Sequence, residues 1–285
     1  KNDPIYKSSP RIEVMNIAEM NASFPLTKKS QTNYEIITPK ISFRANPGNN
    51  MNDYSSSTKT IDASNIFEIN RLGISDSFEA GRSLTLGIDY KIDKIEKEIK
   101  DENNYLINQK DKFLEFKLAT VFRDKVETEI PISSTIDKKN SSLFGSINNQ
   151  LFENLELDYN FAIDNNLEKF DSHSLNSKFK VNNFVTEFNY LEQSGDIGTS
   201  HFISNTTSYE VDDNNIFSFS TRRNKKINLT EYYNLSYEYK NDCLTAGIKY
   251  NKTFYQDNDL KPQENLFFTI SLIPLTTYER VIYEN

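Results

Sequence analysis

The chain has 285 residues, of which 36% are hydrophobic and 26% charged, and its net charge is −8. The hydrophobic share is low for a soluble globular protein, which is roughly 45–50% apolar with Gly included, although Phe and Tyr number 20 and 16. No run of about 18 apolar residues could form a transmembrane helix, whereas a transmembrane barrel needs only alternate residues to be apolar. The acidic balance argues against a nucleic-acid partner, which needs a basic surface.

The first half of the chain alternates strand-like runs with long polar connections. Residues 84–92 place Leu, Ile or Tyr at every second position and polar residues or Gly between them, which predicts a two-faced β-strand. The segment from Asp93 to Glu102 mixes acidic and basic residues and is interpreted as a solvated loop. We expect long connections over residues 46–60, 71–82, 93–111 and 124–141.

Period-2 alternation dominates from about residue 83 to residue 273 and is most regular in the second half. Helical periodicity is nearly absent, so the sequence predicts an all-β, antiparallel fold with roughly 14 strands. The two faces are most sharply divided in residues 155–163, 233–239, 244–251 and 265–272.

Charged residues occur on the polar side of several predicted strands. In a transmembrane barrel this side would line a hydrated lumen, and in a soluble sheet it would be solvated, so the sequence leaves both readings open. The lumen-facing candidates are Glu156, Asp158, Glu187, Glu238 and Lys249.

Short and long connections alternate along the second half of the chain. The polar turns are 182–183, 212–214 and 241–242, and the longer loops are 193–200, 224–230 and 255–263. Asn and Asp tolerate the positive φ angles of tight hairpins. Because successive strands are antiparallel, turns and loops fall at opposite ends, as in an outer-membrane barrel with periplasmic turns and extracellular loops.

The sequence offers little for catalysis. His173 and His201 lie among polar residues without a nucleophile motif or metal-ligand spacing, so we expect surface histidines rather than a hydrolase site. No phosphate-binding glycine loop or calcium loop occurs. We therefore predict no enzymatic activity, no catalytic residue, no metal and no cofactor. The single cysteine, Cys243, is either free or paired outside this chain.

Residues 241–279 and residues 67–90 form two distinctive stretches, and both resemble the LptD family of LPS-assembly outer-membrane proteins, particularly its alphaproteobacterial members. Residues 241–279 are similar to the family's C-terminal end, and residues 67–90 resemble a segment that introduces a barrel strand. The residues that carry the second similarity are Asn70, Arg71, Gly81, Arg82 and Gly87. A weaker similarity extends over most of 11–279 and includes the run 141–146, which is similar to a strand start after a long loop.

The resemblance implies a transmembrane β-barrel of about 26 strands. Residues 1–285 would form the C-terminal part of the barrel domain, without the N-terminal periplasmic domain and the first strands, so both edges of the sheet would need covering strands. The implied function is to receive lipopolysaccharide from the periplasm and insert it into the outer leaflet. The implied partners are lipopolysaccharide, an LptE-like plug lipoprotein, an LptA-like periplasmic bridge protein, the barrel-assembly machinery and outer-membrane lipid.

The resemblance also implies roles for individual residues. Family members carry interdomain disulfides at the position of Cys243, which adjoins a turn expected on the oxidising periplasmic side. The last strand, expected at about 264–273 and ended by Pro274, would form one side of a lateral gate. The gate-strand candidates are Leu266, Phe268, Thr269, Ile270, Ser271 and Leu272.

Two alternatives share the composition and the alternation. A generic outer-membrane porin or receptor barrel would show the same strands without the 241–279 similarity or a periplasmic cysteine with a distant partner. A secreted β-rich adhesion or binding protein would show the same pattern and would be soluble without detergent.

Overall fold

A computed structural model describes residues 16–47, 59–73, 78–95, 112–128, 130–255, 261–272 and 276–284, the last range largely by its backbone. Within these ranges the chain consists of strands, turns and one 3-10 turn over Ile132–Ser134. The all-β prediction is therefore confirmed. No helix in the described part of the chain has the length and apolarity needed to cross a membrane.

Fifteen strands follow one another along the described chain, and every strand pair with a resolved register is antiparallel. Their bounds are β1 Ala18–Ser23, β2 Leu26–Lys29, β3 Asn33–Asn46, β4 Gly81–Lys94, β5 Phe113–Arg123, β6 Leu143–Phe152, β7 Leu155–Ile163, β8 Phe170–Val181, β9 Phe184–Gln193, β10 His201–Asp212, β11 Asn215–Asn224, β12 Leu229–Lys240, β13 Leu244–Thr253, β14 Gln263–Leu272 and β15 Thr276–Glu284. The prediction of roughly 14 strands is confirmed.

The chain divides into two compact units. Unit 1 comprises residues 1–151, 158–173 and 193–199, and unit 2 comprises residues 152–157, 174–192 and 200–285. The sheet order in unit 1 is β1-β3-β4-β5-β6, with β2 on the outer edge of β3, and in unit 2 it is β9-β10-β11-β12-β13-β14-β15. Both orders follow the chain, as in a meander of hairpins.

In unit 1 the central strand β3 contains a proline, which cannot donate a ladder hydrogen bond. Pro39 lies between the segment of β3 that pairs with β2 and the segment that pairs with β1. At this gap its carbonyl accepts a hydrogen bond from the Phe24 backbone N–H at 3.1 Å. The missing donor therefore falls where neither β1 nor β2 requires one.

One face of the unit 1 sheet is covered by its own connections. Two of them leave the same end of the strands: 47–80 joins β3 to β4, and 124–142 joins β5 to β6. Their described parts supply most of a buried apolar cluster, which they complete together with side chains of β5, β6 and β7. The buried members are Ile61, Ala63, Ile66, Leu72, Ala80, Ala119, Val121, Ile130, Ile136, Phe144 and Ala162.

From β8 onward the predicted alternation of turns and loops along the chain is confirmed. Strand β8 turns into β9 at 182–183, where Asn182 has φ of 49°, and β10 turns into β11 at 213–214. The longer connections lie at the other strand ends, at 194–200, 225–228 and 254–262. The strands of unit 2 are 9 to 12 residues long, so they match the roughly 9–11 residues that a tilted strand needs to cross a membrane.

The expectation that 264–273 is the last strand is wrong. Strand β14 ends at Leu272, and β15 pairs with it in antiparallel register from Leu272↔Thr276 to Asn265↔Glu284. Pro274 lies outside the described residues, so its own conformation is not described. Because three residues suffice to reverse the chain, the proline between the two strands does not prevent their pairing. The C-terminal edge of the sheet is β15.

Candidate functional site

The strands of unit 2 present one polar face whose residues are aligned by the strand register. Residues that pair directly across antiparallel strands point to the same side of the sheet. Lys249 of β13 pairs with Ser236 of β12, and Glu238 pairs with Gly247. In the same way, Glu187 of β9 pairs with Thr206 of β10. Following the register across β9–β13 places the predicted residues Glu187, Glu238 and Lys249 on one face.

The rest of that face is built from small polar side chains. Lys249 continues through Ser236 to Ser218 of β11 and Ser208 of β10, and Glu187 continues through Thr206 and Ser220 to Asn234. Glu187 forms an ion pair with Lys178 of β8 at 2.7 Å. The face therefore offers hydroxyl, amide and charged groups in rows, a surface that holds water and polar ligands rather than acyl chains.

The opposite face of β11 and β12 is largely apolar and exposed, whereas on β9 and β10 it also carries Thr186, Asn205 and Thr207. Phe217 and Phe219 of β11 lie opposite Tyr237 and Leu235 of β12, and the Phe217 and Tyr237 rings are 4.8 Å apart. Phe217 is 46% exposed and Leu235 is 52% exposed. Large apolar side chains in a continuous exposed band mark a surface that contacts lipid or a partner.

The two lumen candidates on β7 also share one side of their strand. Glu156 and Asp158 are two residues apart, and Asp158 accepts a hydrogen bond from the Asn160 amide at 2.7 Å. Both carboxylates are half-buried. Glu156 belongs to unit 2 and Asp158 to unit 1. Their common side is therefore inferred only from their two-residue separation along β7.

The predicted gate residues of β14 divide between the two faces. Thr269 pairs with Gly247 and Ser271 with Thr245, which places both hydroxyls on the polar face. The remaining four candidates pair with residues of the apolar face of β13: Leu266 with Tyr250, Phe268 with Ile248, Ile270 with Ala246 and Leu272 with Leu244. On the other side, β14 is hydrogen-bonded to β15.

Cys243 is exposed and lies in the tight turn between β12 and β13. The Asn241 side-chain oxygen accepts hydrogen bonds from the backbone N–H groups of Cys243 at 3.0 Å and Leu244 at 2.8 Å. The Asn241 N–H donates to the Leu244 carbonyl at 2.8 Å. These hydrogen bonds fix the backbone of the turn, which places Cys243 at the short-turn end of unit 2.

The two histidines lie beside aromatic rings. The His201 and Tyr190 ring centroids are 5.7 Å apart in an edge-to-face arrangement, and the His173 ring lies 5.2 Å from Phe170. Among the described residues, no group of three or more His, Cys, Asp or Glu side chains could hold a metal ion.

A buried cluster of charged residues in unit 1 was not predicted from the sequence. Its centre is Glu79, which precedes β4. The Arg71 guanidinium donates two parallel hydrogen bonds to the Glu79 carboxylate, from Nε at 2.6 Å and from Nη2 at 2.5 Å. Arg44 of β3 donates to the same carboxylate at 3.0 Å, and Arg123 of β5 also donates to it. The side chains of Arg71 and Glu79 are only 1% and 3% exposed.

The arginines of this cluster use their remaining donors to hold other parts of unit 1. Arg71 donates to the Thr85 hydroxyl of β4 at 3.0 Å, and Arg123 donates to the Ala80 carbonyl at 3.0 Å. Arg44 donates to the Glu19 carboxylate of β1 at 3.0 Å and to the Glu68 carbonyl at 2.5 Å. The cluster therefore joins the connection 59–80 to β1, β3, β4 and β5.

The cluster keeps Glu79 ionised despite its burial. Burial by itself raises the pKa of a carboxyl group, but the charge and hydrogen bonds of Arg71, together with the charges of Arg123 and Arg44, lower the pKa of Glu79 to about 2. Burial lowers the pKa of Arg71, and Glu79 opposes that shift. The carboxylate therefore balances part of the buried positive charge at neutral pH.

Most of the chain matches a known protein family. The family model described as LptD, LPS transport system D, matches residues 11–212. The chain therefore belongs to the LptD family. No curated protein matches it.

Membership in the LptD family places the chain in a family of outer-membrane β-barrel proteins of LPS transport and assembly. The antiparallel, all-β structure agrees with that fold. The match includes residues 67–90 and the run 141–146 but ends before 241–279. The resemblance of residues 241–279 to LptD therefore stays a prediction that the family match does not test.

The structure gives physical reasons for the LptD-like residues at 67–90. Gly81 begins β4 with φ of 79°, and a Cβ there would lie 2.1 Å from a Glu127 carboxylate oxygen. A Cβ on Gly87 would lie 2.6 Å from the Phe67 ring. These two glycines let the connections 59–80 and 124–142 approach the sheet, and Arg71 anchors the first of them. Only the similarity to LptD singled out Arg71 in the sequence.

We predict that Glu79→Gln opens the connection 59–73 of this LptD-family chain. The neutral amide leaves three buried arginines without their shared carboxylate, and loss of one partner from a buried ion cluster costs about 3–5 kcal/mol. Hydrogen exchange at the Ile66 and Gly73 amides, which donate to the carbonyls of Asp62 and Asn70, should report that loss in the free energy of opening.

The matched control is Glu68→Gln on the same connection. Glu68 forms an ion pair with Lys59 at 3.2 Å, with side chains 52% and 56% exposed, and such surface pairs contribute less than about 1 kcal/mol. Equal exchange rates in the two variants would contradict the anchoring role of Glu79.

The opening of this connection should also depend on acid. The pKa of Glu79 is lowered from 4.5 to about 2 in the folded state, so its contribution is complete above pH 4.5 and is lost as the pH falls towards 2. A shift of this size corresponds to about 3 kcal/mol. The protection factor of the Ile66 amide, which corrects for the pH dependence of intrinsic exchange, should fall in that window as the pH is lowered from 6 to 2, and Glu79→Gln should remove most of this pH dependence.

Proposed function

We propose that this chain forms the C-terminal part of the barrel of an outer-membrane translocon subunit that receives lipopolysaccharide from the periplasm and inserts it into the outer leaflet. The observation that supports this best is the match of residues 11–212 to the LptD family model. The division of the unit 2 strands into a polar face and an exposed apolar face agrees with a barrel wall that has a hydrated side and a lipid side.

The polar face would accommodate the sugar and phosphate part of the substrate. Glu187, Glu238 and Lys249 supply charge, and the rows of Ser and Thr supply hydroxyl groups at a spacing of about 4.5–5.5 Å between paired strands. None of these groups is arranged for bond cleavage, so the proposed role is passage and not catalysis.

The proposed lateral gate lies at the C-terminal edge, formed by β14 together with β15. Because β15 covers β14, the free edge is one strand farther along the chain than the sequence predicts. The β14 hydroxyls of Thr269 and Ser271 face the polar side next to that edge. We propose that they border the path by which the lipid leaves, with β15 pairing to the barrel's first strand.

The other partners implied by the family are proposed to bind at different parts of the barrel. An LptE-like lipoprotein would plug the polar side, an LptA-like bridge would deliver lipopolysaccharide at the short-turn end, and the barrel-assembly machinery would insert the strands. Cys243 lies at that short-turn end. We propose that it forms an interdomain disulfide with a cysteine outside these 285 residues.

A generic outer-membrane porin or receptor barrel is the alternative proposal. It would have the same polar and apolar faces but would carry no lipopolysaccharide along β14. The family match favours the translocon.

We predict that a photocrosslinking amino acid at Thr269 of the full-length protein in cells captures lipopolysaccharide. The depth-matched control is Ala246, which pairs with Ile270 on the neighbouring register position and points to the apolar face. Irradiation followed by purification and detection of the adduct should give a signal at Thr269, and at Ser271, well above that at Ala246.

A different outcome would favour the porin or receptor. If neither Thr269 nor Ser271 gave an adduct while the protein still migrated as a heat-modifiable barrel, the gate would be lost from the proposal. Equal adducts at Thr269 and Ala246 would indicate contact with surrounding lipid instead of a conduit.

We predict that Cys243→Ser removes a reductant-sensitive band of the full-length protein. An interdomain disulfide closes a long loop and changes migration on non-reducing gels, and the oxidising periplasm maintains it. Asp242→Ser serves as the control because it alters the same turn but leaves the Cys243 thiol in place. Identical non-reducing migration of the wild type and Cys243→Ser would contradict the disulfide.

A further inference from the structure

The hairpin tip between β11 and β12 concentrates positive charge in an acidic chain. Arg222, Arg223, Lys225 and Lys226 fall within five residues, and together they are named the basic tip; the whole chain has a net charge of −8. Of the two acids on the following strand, Glu231 lies next to the basic tip and Glu238 lies near the other end of the strand. A basic run of this density is a feature of sites that bind anions.

Only part of this charge is neutralised. The Arg222 Nε lies 2.8 Å from the Glu231 carboxylate, and its guanidinium lies 4.1 Å from the centre of the Phe202 ring. Arg223, Lys225 and Lys226 are exposed and form no ion pair with any described carboxylate. The basic tip therefore keeps three positive charges for an external partner.

The backbone of the basic tip is held in one conformation. The Asn224 side-chain oxygen accepts the backbone N–H of Lys226 at 3.1 Å, and the Asn224 amide donates to Glu231 at 3.3 Å. Arg223 donates to the Asn228 side chain at 2.6 Å. The Lys225 N–H donates to the carbonyl of His201 on β10 at 2.8 Å. A fixed backbone lowers the entropy lost when the basic side chains bind.

The basic tip lies directly beyond the apolar face. On β11, Phe217, Phe219, Thr221 and Arg223 alternate with residues of the polar face, so Arg223 follows the aromatic band on the same side. It lies two residues beyond Thr221, which pairs with Tyr233, a distance of about 7 Å along the strand. In the barrel orientation proposed above, this position would fall where hydrocarbon gives way to headgroups.

We propose that the basic tip binds the phosphate monoesters of lipid headgroups in the leaflet around the loop end of the strands. Arg223 presents a planar fork that fits phosphate oxygens, and Lys225 and Lys226 add point charges. The inference rests on the proposed outward orientation of the loop end. It adds a binding site on the outside of the barrel, separate from the polar face and from the gate.

The test uses the purified, delipidated full-length protein and the double variant Lys225→Gln/Lys226→Gln. The probes are lipid A with two phosphates and lipid A with both phosphates removed, and retention is counted by native mass spectrometry. Near a charged lipid surface each basic residue contributes enough for about a five-fold change in binding. We therefore expect the double variant to bind the bisphosphorylated lipid about 25-fold more weakly and the dephosphorylated lipid unchanged.

The matched control is Lys180→Gln/Lys240→Gln, which removes two exposed charges at the short-turn end of unit 2 and should behave as the wild type. Arg223→Gln should weaken the same phosphate-dependent binding on its own. Equal binding by wild type, Lys225→Gln/Lys226→Gln and Arg223→Gln would overturn the proposal.

An inorganic phosphate arm separates the two sources of the anion. If millimolar phosphate displaced the bisphosphorylated lipid completely from the wild type, the basic tip would be a site for free phosphate and the headgroup assignment would fail. Resistance to phosphate competition supports the headgroup. Because lipid retention is measured without transport, its failure leaves the crosslinking test at Thr269 independent.

Discussion

The rest of the structure depends on the alternation of side chains across an antiparallel hydrogen-bonded ladder. Successive residues point to opposite sides, and a shift of register by one residue would exchange the two faces. In unit 2 the register holds Lys249 opposite Ser236 and Phe217 opposite Tyr237. Backbone pairing, a polar conduit side and a lipid-compatible side therefore come from the same set of hydrogen bonds, and none of the three could change without the other two.

The two units use this alternation differently. In unit 2 the polar side carries Ser, Thr and charged residues over five consecutive strands, from β9 to β13. In unit 1 the corresponding problem of buried polar groups is solved by ion pairing, because Arg44, Arg71 and Arg123 share the Glu79 carboxylate. Burial of these charges costs desolvation free energy. Their presence indicates that the ion pairs fix the position of the connection 59–80, which apolar packing alone would not do.

The sequence predicted what depends on short-range periodicity. Alternation identified the strands and the side on which Glu187, Glu238 and Lys249 lie, and Asn-rich turns identified the hairpins. Strand β15 was not recognised, because Thr276, Tyr278, Arg280 and Ile282 alternate with Thr277, Glu279 and Val281 without an apolar side. β15 forms because its backbone pairs with β14. The residue pattern within β15 does not indicate this pairing.

The cluster around Glu79 was missed for a different reason. Arg71 and Glu79 lie in a stretch without periodicity, and their partners Arg44 and Arg123 are 35 and 44 residues away from Glu79. A pattern read along the chain cannot bring such residues together. Similarity to the LptD family drew attention to Arg71 but could not assign its partner, since similarity at one position does not show which residue that side chain binds in space.

These separations along the chain bear on the order in which unit 1 assembles. Contacts between residues far apart in sequence carry a large loop-closure entropy and form late in folding. The Glu79 cluster requires β1, β3, β4 and β5 to be in register before its charges meet. Until then, we expect Glu79 and the three arginines to stay hydrated, because burial of an unpaired charge is costly. Closure of the connection 59–80 therefore marks the completion of this part of the barrel wall, and a strand inserted out of register would leave it unsealed.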